Sequence, residues 1–164
     1  MRTKKGMLLA SETLKIVIAV ISIGFLVYFL TSLYFNNING QKLAKAEVSL
    51  NGDEGIMGKI VMVNQNGVEK ESHVQNPSGW SLMSFTDNEV KPNACAGENC
   101  LCICKNIKQN NILWVKDRQA KACNEKGVCG IVENLKEFEK IEIKGTDTFV
   151  VIKKVNDLIE ISKK

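Results

Sequence analysis

From Ile16 to Phe35 the chain runs for twenty residues without a charge, IVIAVISIGFLVYFLTSLYF. At 1.5 Å per residue a helix of that length covers roughly 30 Å, the thickness of a hydrocarbon core. Lipid supplies no hydrogen bonds to the backbone, so a helix is the only single-segment solution there. A buried core helix would not need so long an uninterrupted run, and Tyr34 stands where an interfacial aromatic belongs. The pattern predicts a transmembrane helix over 16–35, preceded by a short N-terminal segment, 1–15. Beyond it, Asn36-Asn37-Ile38-Asn39-Gly40 is polar and rich in breakers, yet Leu43, Ala46 and Leu50 recur at helical spacing. This predicts a linker or helical stalk over 36–50, ended by Asn51-Gly52-Asp53.

After residue 51 the period changes from helix to strand. Lys59–Val63 is β-branched and short, and Asn66-Gly67 behind it is a strong hairpin dipeptide, with Val68–Val74 as the return strand. Asn76-Pro77-Ser78-Gly79 reads as a turn. Strands are then predicted at Trp80–Phe85, with Trp80 and Leu82 on one face, at Cys100–Cys104 and at Ile112–Val115. Ile141–Ile143 alternates, and Phe149–Val155 pairs with Leu158–Ser162 across Asn156-Asp157. Lys116–Asn124 and Glu133–Phe138 carry helical patterns, and Trp80 and Trp114 are candidate core residues. The fold class expected is α+β: an N-terminal transmembrane helix, then a small antiparallel β domain over 51–164, a sandwich or curved sheet.

Charge divides the chain at the same place. Residues 1–50 carry six Lys/Arg against Glu12 and Glu47, the whole net charge of +4, while residues 51–164 carry sixteen of each sign. A neutral domain has no global field for phosphates, which argues against a nucleic-acid partner. Arg2, Lys4, Lys5 and Lys15 precede the apolar run and only Lys42 and Lys45 follow it closely. The positive-inside rule places the N-terminus in the cytoplasm and the C-terminal domain outside. A cleaved secretory signal fits less well, because the run exceeds a typical h-region and no A-x-A site closes it.

Six cysteines, Cys95, Cys100, Cys102, Cys104, Cys123 and Cys129, fall within 35 residues, and the rest of the chain has none. An even cluster in a small external domain is most simply a disulfide framework. Six cysteines allow fifteen connectivities. If Cys100–Cys104 is a strand, its three cysteines share one face, with Leu101 and Ile103 on the other. Neighbours two residues apart on a strand lie roughly 6.5–7 Å apart at Cα, the limit for bridging. The strand cysteines are therefore expected to pair with Cys95, Cys123 and Cys129. The rival is a metal or thiol-redox site, with Cys100, Cys102, Cys104 and Cys123 holding zinc. The spacings lack the paired C-x2-C of zinc knuckles, and no C-x-x-C occurs.

Upstream, Lys4-Lys5-Gly6-Met7-Leu8 abuts the apolar segment. It resembles the class III signal of archaeal type IV pilin-like proteins, in which a basic residue and a glycine precede the cut and the apolar helix follows. The resemblance covers residues 4–35. It implies processing between Gly6 and Met7 and packing of the helix into a filament core. Glu12 would be the sixth residue of the mature chain, one beyond the family's usual acidic position, and Lys15 interrupts the apolar stretch. Without that family, Lys4 and Lys5 serve as topology charges, Ser11 as a helix N-cap and Glu12 as a first-turn acid.

No G-x-S-x-G, Walker loop, G-x-G-x-x-G or H-E-x-x-H is found. The single histidine, His73, sits in a polar strand, and the acids are interleaved with lysines, as on a solvated face. No catalytic set, cofactor or resident metal is expected. The sequence points to a single-pass, non-enzymatic surface protein, in contact with the bilayer and with protein partners or copies of itself through the membrane helix.

Overall fold

A computed structural model of the chain describes the backbone of residues 4–75, 79–87, 89–106, 115–145 and 148–164, and their side chains from Glu12 on except those of 115–117. The chain divides into two compact units, Met1–Gly40 and Gln41–Lys164. The expected Ile112–Val115 strand and Trp114 lie outside the described residues, save that Val115 opens a helix. So does the Asn76–Gly79 turn, save Gly79.

Helix α1 (Lys4–Asn51) runs 48 residues. It is long and apolar enough to cross a membrane, and within the first unit its apolar side chains are exposed all round, Phe25 at 68% and Leu30 at 63%. Two hydroxyls of this stretch turn inward: Ser22 Oγ donates to the Ile18 carbonyl at 2.8 Å and Thr31 Oγ1 to that of Val27 at 2.6 Å. Each satisfies itself against the helix, as a medium without water requires. Asn36–Gly40 continues the helix, because Asn and Gly cost only about 0.7–1 kcal/mol each relative to Ala and strong helix formers flank them. The start at Lys4 puts Ser11 inside the helix, so it is not the N-cap.

The second unit holds two antiparallel sheets. One has strand order β1-β6-β7, from β1 (Lys70–Val74), β6 (Thr148–Val155) and β7 (Leu158–Lys163); the other has order β4-β3-β2-β5, from β4 (Gly127–Ile131), β3 (Cys100–Lys105), β2 (Trp80–Phe85) and β5 (Ile141–Ile143). Each sheet gives one face to a single apolar core: Val74, Val150, Ile152, Ile159 and Ile161 from the first, Trp80, Leu82, Leu101, Ile103, Ile141 and Ile143 from the second. Ala46 and Leu50, in the last turns of α1, close the same core. Helix α3 (Val115–Lys126) covers the expected Lys116–Asn124.

Two expectations fail for identifiable reasons. Lys59–Val63 is part of a helix, α2 (Ile56–Asn66), since Ile56, Ile60 and Val63 are the buried positions, at i, i+4 and i+7. Val61 and Met62 between them are exposed, so the buried stripe has helical period and overrides the β-branched composition. Gly67 then serves as the left-handed C-cap, at φ 65°, its N–H donating to the Val63 carbonyl. A hairpin turn and a helix stop demand the same positive φ, so the Asn66-Gly67 dipeptide does not separate them. Glu133–Phe138 is a turn at Glu133-Asn134 followed by a non-helical segment bridged to β7 at Leu135, where a helix was expected. Its donors go to β7 and β2: Lys136 N–H to the Ile159 carbonyl at 3.0 Å, and Phe138 N–H to Ser84 Oγ at 3.1 Å. Burial of Leu135 against β7 outweighs local helix formation, and the segment shields part of the β7 edge.

The β6–β7 hairpin closes on Asn156 and Asp157, both at positive φ, as a two-residue primed turn needs. On β7 the Glu160 carboxylate pairs with Lys136 and Lys153. The hydrogen bond from Lys136, then that from Lys153, holds its carboxyl below the ordinary 4.5.

Replacing Ile152, fully buried on the central strand β6, with Ala is expected to cost about 2–5 kcal/mol, read as a lower urea midpoint of the detergent-solubilised chain. Val155→Ala, half-exposed on the same strand, is expected to change it far less. The Glu160 contribution is present above the unfolded carboxylate pKa and is lost as pH falls through the lower folded value. Glu160→Gln is therefore expected to lower stability slightly at neutral pH, to leave it little changed at low pH, and so to flatten the slope between them. An unaltered acid slope would remove Glu160 as its source.

Candidate functional site: a face of three disulfides

Strand β3 reads Cys-Leu-Cys-Ile-Cys-Lys, and its alternation splits two environments. Leu101 and Ile103 enter the shared core, while Cys100, Cys102 and Cys104 face the other way into a second cluster with Met83, Phe85, Cys95, Ala120 and Cys123. All three strand cysteines are fully buried. The register places Cys104 opposite Ser81, Cys102 opposite Met83 and Cys100 opposite Phe85 on β2, and Cys102 opposite Cys129 on β4.

Every cysteine is bridged and none is free. The pairs are Cys95–Cys100, Cys102–Cys129 and Cys104–Cys123, with Cα separations of 5.7, 4.1 and 5.0 Å. Each bridge joins one strand cysteine to one of Cys95, Cys123 and Cys129, which is the crossing that strand geometry requires. The four sulfurs proposed for zinc on sequence grounds do not form one group. Cys100 sits with Cys95, Cys102 and Cys129, whereas Cys104 and Cys123 form a second group with Cys102.

Local chain geometry makes each bridge possible. After the 3-10 turn Asn93–Cys95, Ala96 and Gly97 take positive φ, 50° and 88°, and reverse the chain so that Cys100 returns to Cys95. The Asn93 N–H donates to Asn124 Oδ1 of α3 at 2.7 Å, fastening this turn to the helix that carries Cys123. Asn99 organises the loop: its Oδ1 accepts from the Asp87 N–H at 3.0 Å and Lys91 Nζ at 3.1 Å, and its carbonyl accepts from the Val132 N–H at 2.9 Å. At Gly127 a Cβ would lie 2.7 Å from both Cys104 Sγ and the Cys123 carbonyl oxygen. Only glycine lets the start of β4 pass the Cys104–Cys123 bridge. Sequence reasoning missed both Asn99 and Gly127. For Gly127 the signal was present, a glycine directly after a helical pattern; for Asn99 there was none, since its partners come from two separated segments, one with Asp87 and Lys91 and one with Val132 and Glu133.

Other candidate residues are placed elsewhere. Trp80 is a core residue, 4% exposed. His73 stacks on Phe149, ring centroids 4.7 Å apart, on the outer face of the first sheet. A groove of about 500 Å³ runs beside β1, lined by Val48, Ser49, Asp53, Lys59, Ser72 and Gln75 among others. Gly6 and Met7 lie within α1.

Oxidised sulfurs have no lone thiolate to offer a substrate or a metal, so in this state the face is a covalent frame. Set beside protein-family models, curated proteins and solved structures, the chain matches none of them.

Chain-entropy arguments rank the bridges by the loop they close. Separations of 5, 19 and 27 residues correspond to about 2 kcal/mol for Cys95–Cys100 and between 3 and 4 kcal/mol, roughly, for the other two. Paired Cys→Ser variants are expected to lower the urea midpoint in that order, least for Cys95/Cys100. A larger loss at Cys95/Cys100 would show that the bridge acts through native packing and not through loop closure.

Proposed function

We propose that the chain is a single-pass, membrane-anchored surface protein. Ile16–Phe35 crosses the bilayer, the N-terminus faces the cytoplasm, and the disulfide-framed β domain stands outside as a non-enzymatic unit for protein–protein contact. The observation that carries this reading is the joint presence of an apolar helix with exposed side chains all round and a small domain whose six cysteines are all paired. Lipid is the natural cover for the first, and an oxidising compartment the natural setting for the second. The bias of Lys and Arg toward the N-terminal flank gives the orientation.

The specific form of this reading is a type IV pilin-like subunit. Its support is Lys4-Lys5-Gly6 directly ahead of the apolar segment, together with a helix that continues without interruption from Lys4 to Asn51. In that form the leader is removed after Gly6, and subunits associate through residues 7–35.

Three measurements on native material test the proposal. The chain is expected in the membrane fraction after alkaline extraction. Its C-terminal domain is expected to be degraded by protease added to intact cells, with zero free thiols under denaturing alkylation. Intact mass is expected to show a chain beginning at Met7. A native chain beginning at Met1 would sink the pilin-like form and leave the anchored surface protein; free thiols with a protease-resistant domain would sink the outside placement itself.

A further inference from the structure

Four sulfurs on the cysteine face form a tighter group than two separate bridges require. The Sγ atoms of Cys95, Cys100, Cys102 and Cys129 all lie within 4.8 Å of one another. Between the two disulfides, Cys95 Sγ is 3.9 Å and Cys100 Sγ 3.8 Å from Cys102 Sγ. A tetrahedral zinc thiolate with Zn–S bonds of about 2.3 Å has edges of about 3.8 Å between its sulfurs. Of the six edges of such a tetrahedron two are therefore already at length, the two from Cys129 to Cys95 and Cys100 lie within 4.8 Å, and the two bonded pairs would have to open. Cys95, Cys100 and Cys102 are fully buried, as in closed structural sites that leave no position for water. Lys91, the nearest cation to this turn by sequence, is turned away onto Gly97 and Asn99.

We propose that this group is a redox-gated metal site: in the reduced chain Cys95, Cys100, Cys102 and Cys129 bind one Zn²⁺ as a tetrathiolate, and oxidation expels it. Cys104–Cys123 stays outside the site as a separate bridge. A disulfide oxidant such as oxidised glutathione supplies the reverse step. One thiolate attacks the oxidant, forming a mixed disulfide and releasing a small thiolate. Its neighbour displaces the second small thiolate and closes the protein bridge. Two oxidant molecules thus take up four electrons, four small thiolates are released, Cys95–Cys100 and Cys102–Cys129 form, and Zn²⁺ departs. Reduction enters at Cys129, the one member that is not buried and that lies on the edge strand β4. The placement differs from the set suggested by sequence spacing because β3 brings Cys95 and Cys129, not Cys104 and Cys123, beside Cys100.

The test uses the full chain in detergent, fully reduced under anaerobic conditions and titrated with Co²⁺ and then Zn²⁺. The expected result is one equivalent of Co²⁺ with the visible ligand-field bands and thiolate charge-transfer of a tetrahedral S₄ site, displaced by one equivalent of Zn²⁺. Cys104→Ser/Cys123→Ser is expected to keep this spectrum, whereas Cys95→Ser and Cys129→Ser each weaken Zn²⁺ binding more than about 100-fold. Oxidised glutathione is expected to release Zn²⁺ to a chromogenic chelator, one ion per chain, as the two bridges form by peptide mapping. Failure of the reduced chain to give an S₄ spectrum overturns the proposal even if reduction unfolds the domain, because metal binding and folding of such a site are coupled. A spectrum lost in the Cys104/Cys123 variant but kept in Cys95→Ser overturns it as well. Neither result bears on membrane insertion or on the thiol count of native material, so the surface-protein reading is tested separately.

Discussion

Strand β3 has no solvent side. Its Leu101 and Ile103 enter a core shared by two sheets, and its Cys100, Cys102 and Cys104 enter a second cluster under α3 and the 3-10 turn. A strand buried on both faces in a unit of this size needs a cover on each, and the residues available for the second cover are few. Three disulfides provide it, fastening the 3-10 turn, β4 and α3 to one strand. Sulfur serves here as apolar packing as much as covalent linkage, since a half-cystine is among the most buried of side chains. The rest of the domain is arranged around that double burial.

The consequences are visible on either side. On the cysteine face the approach is so close that Gly127 admits no side chain. On the core face α2 lays Ile56, Ile60 and Val63 into the same cluster as the two sheets, and Met57 occupies the space a side chain at Gly130 would need. Asp87 and Lys91 are then held by polar contacts to Asn99, and the Cys95–Cys100 bridge restrains the segment from Glu89 to Asn99.

The first unit obeys a different constraint. A helix with apolar residues at every azimuth has no amphipathic stripe to bury, so its stability cannot come from a folded core of its own unit. Within its apolar run Ser22 and Thr31 return their hydroxyls to the helix backbone. Lipid or a packed bundle of like helices would meet that requirement equally, and both are contained in a pilin-like reading.

The sequence by itself determined what is written in local period and in chemistry confined to a few neighbours. The uncharged run, the β6–β7 hairpin on Asn156-Asp157, the strand Trp80–Phe85 and the one-faced cysteines of β3 all follow from alternation, turn residues or length, none of which needs a partner's position. Tertiary structure decided the rest. Ile56–Asn66 became a helix because the buried stripe it had to present was three residues wide at helical spacing, a fact about the surface it meets. Glu133–Phe138 gave up its helix because Ile159 on the edge of β7 and Ser84 on β2 offered its backbone better partners. Which of the fifteen cysteine connectivities closes, and which three sulfurs join Cys102 in a group of four, depended on where β4, α3 and the 3-10 turn land on β3. Those are distances between segments far apart in the chain, and no local pattern encodes them.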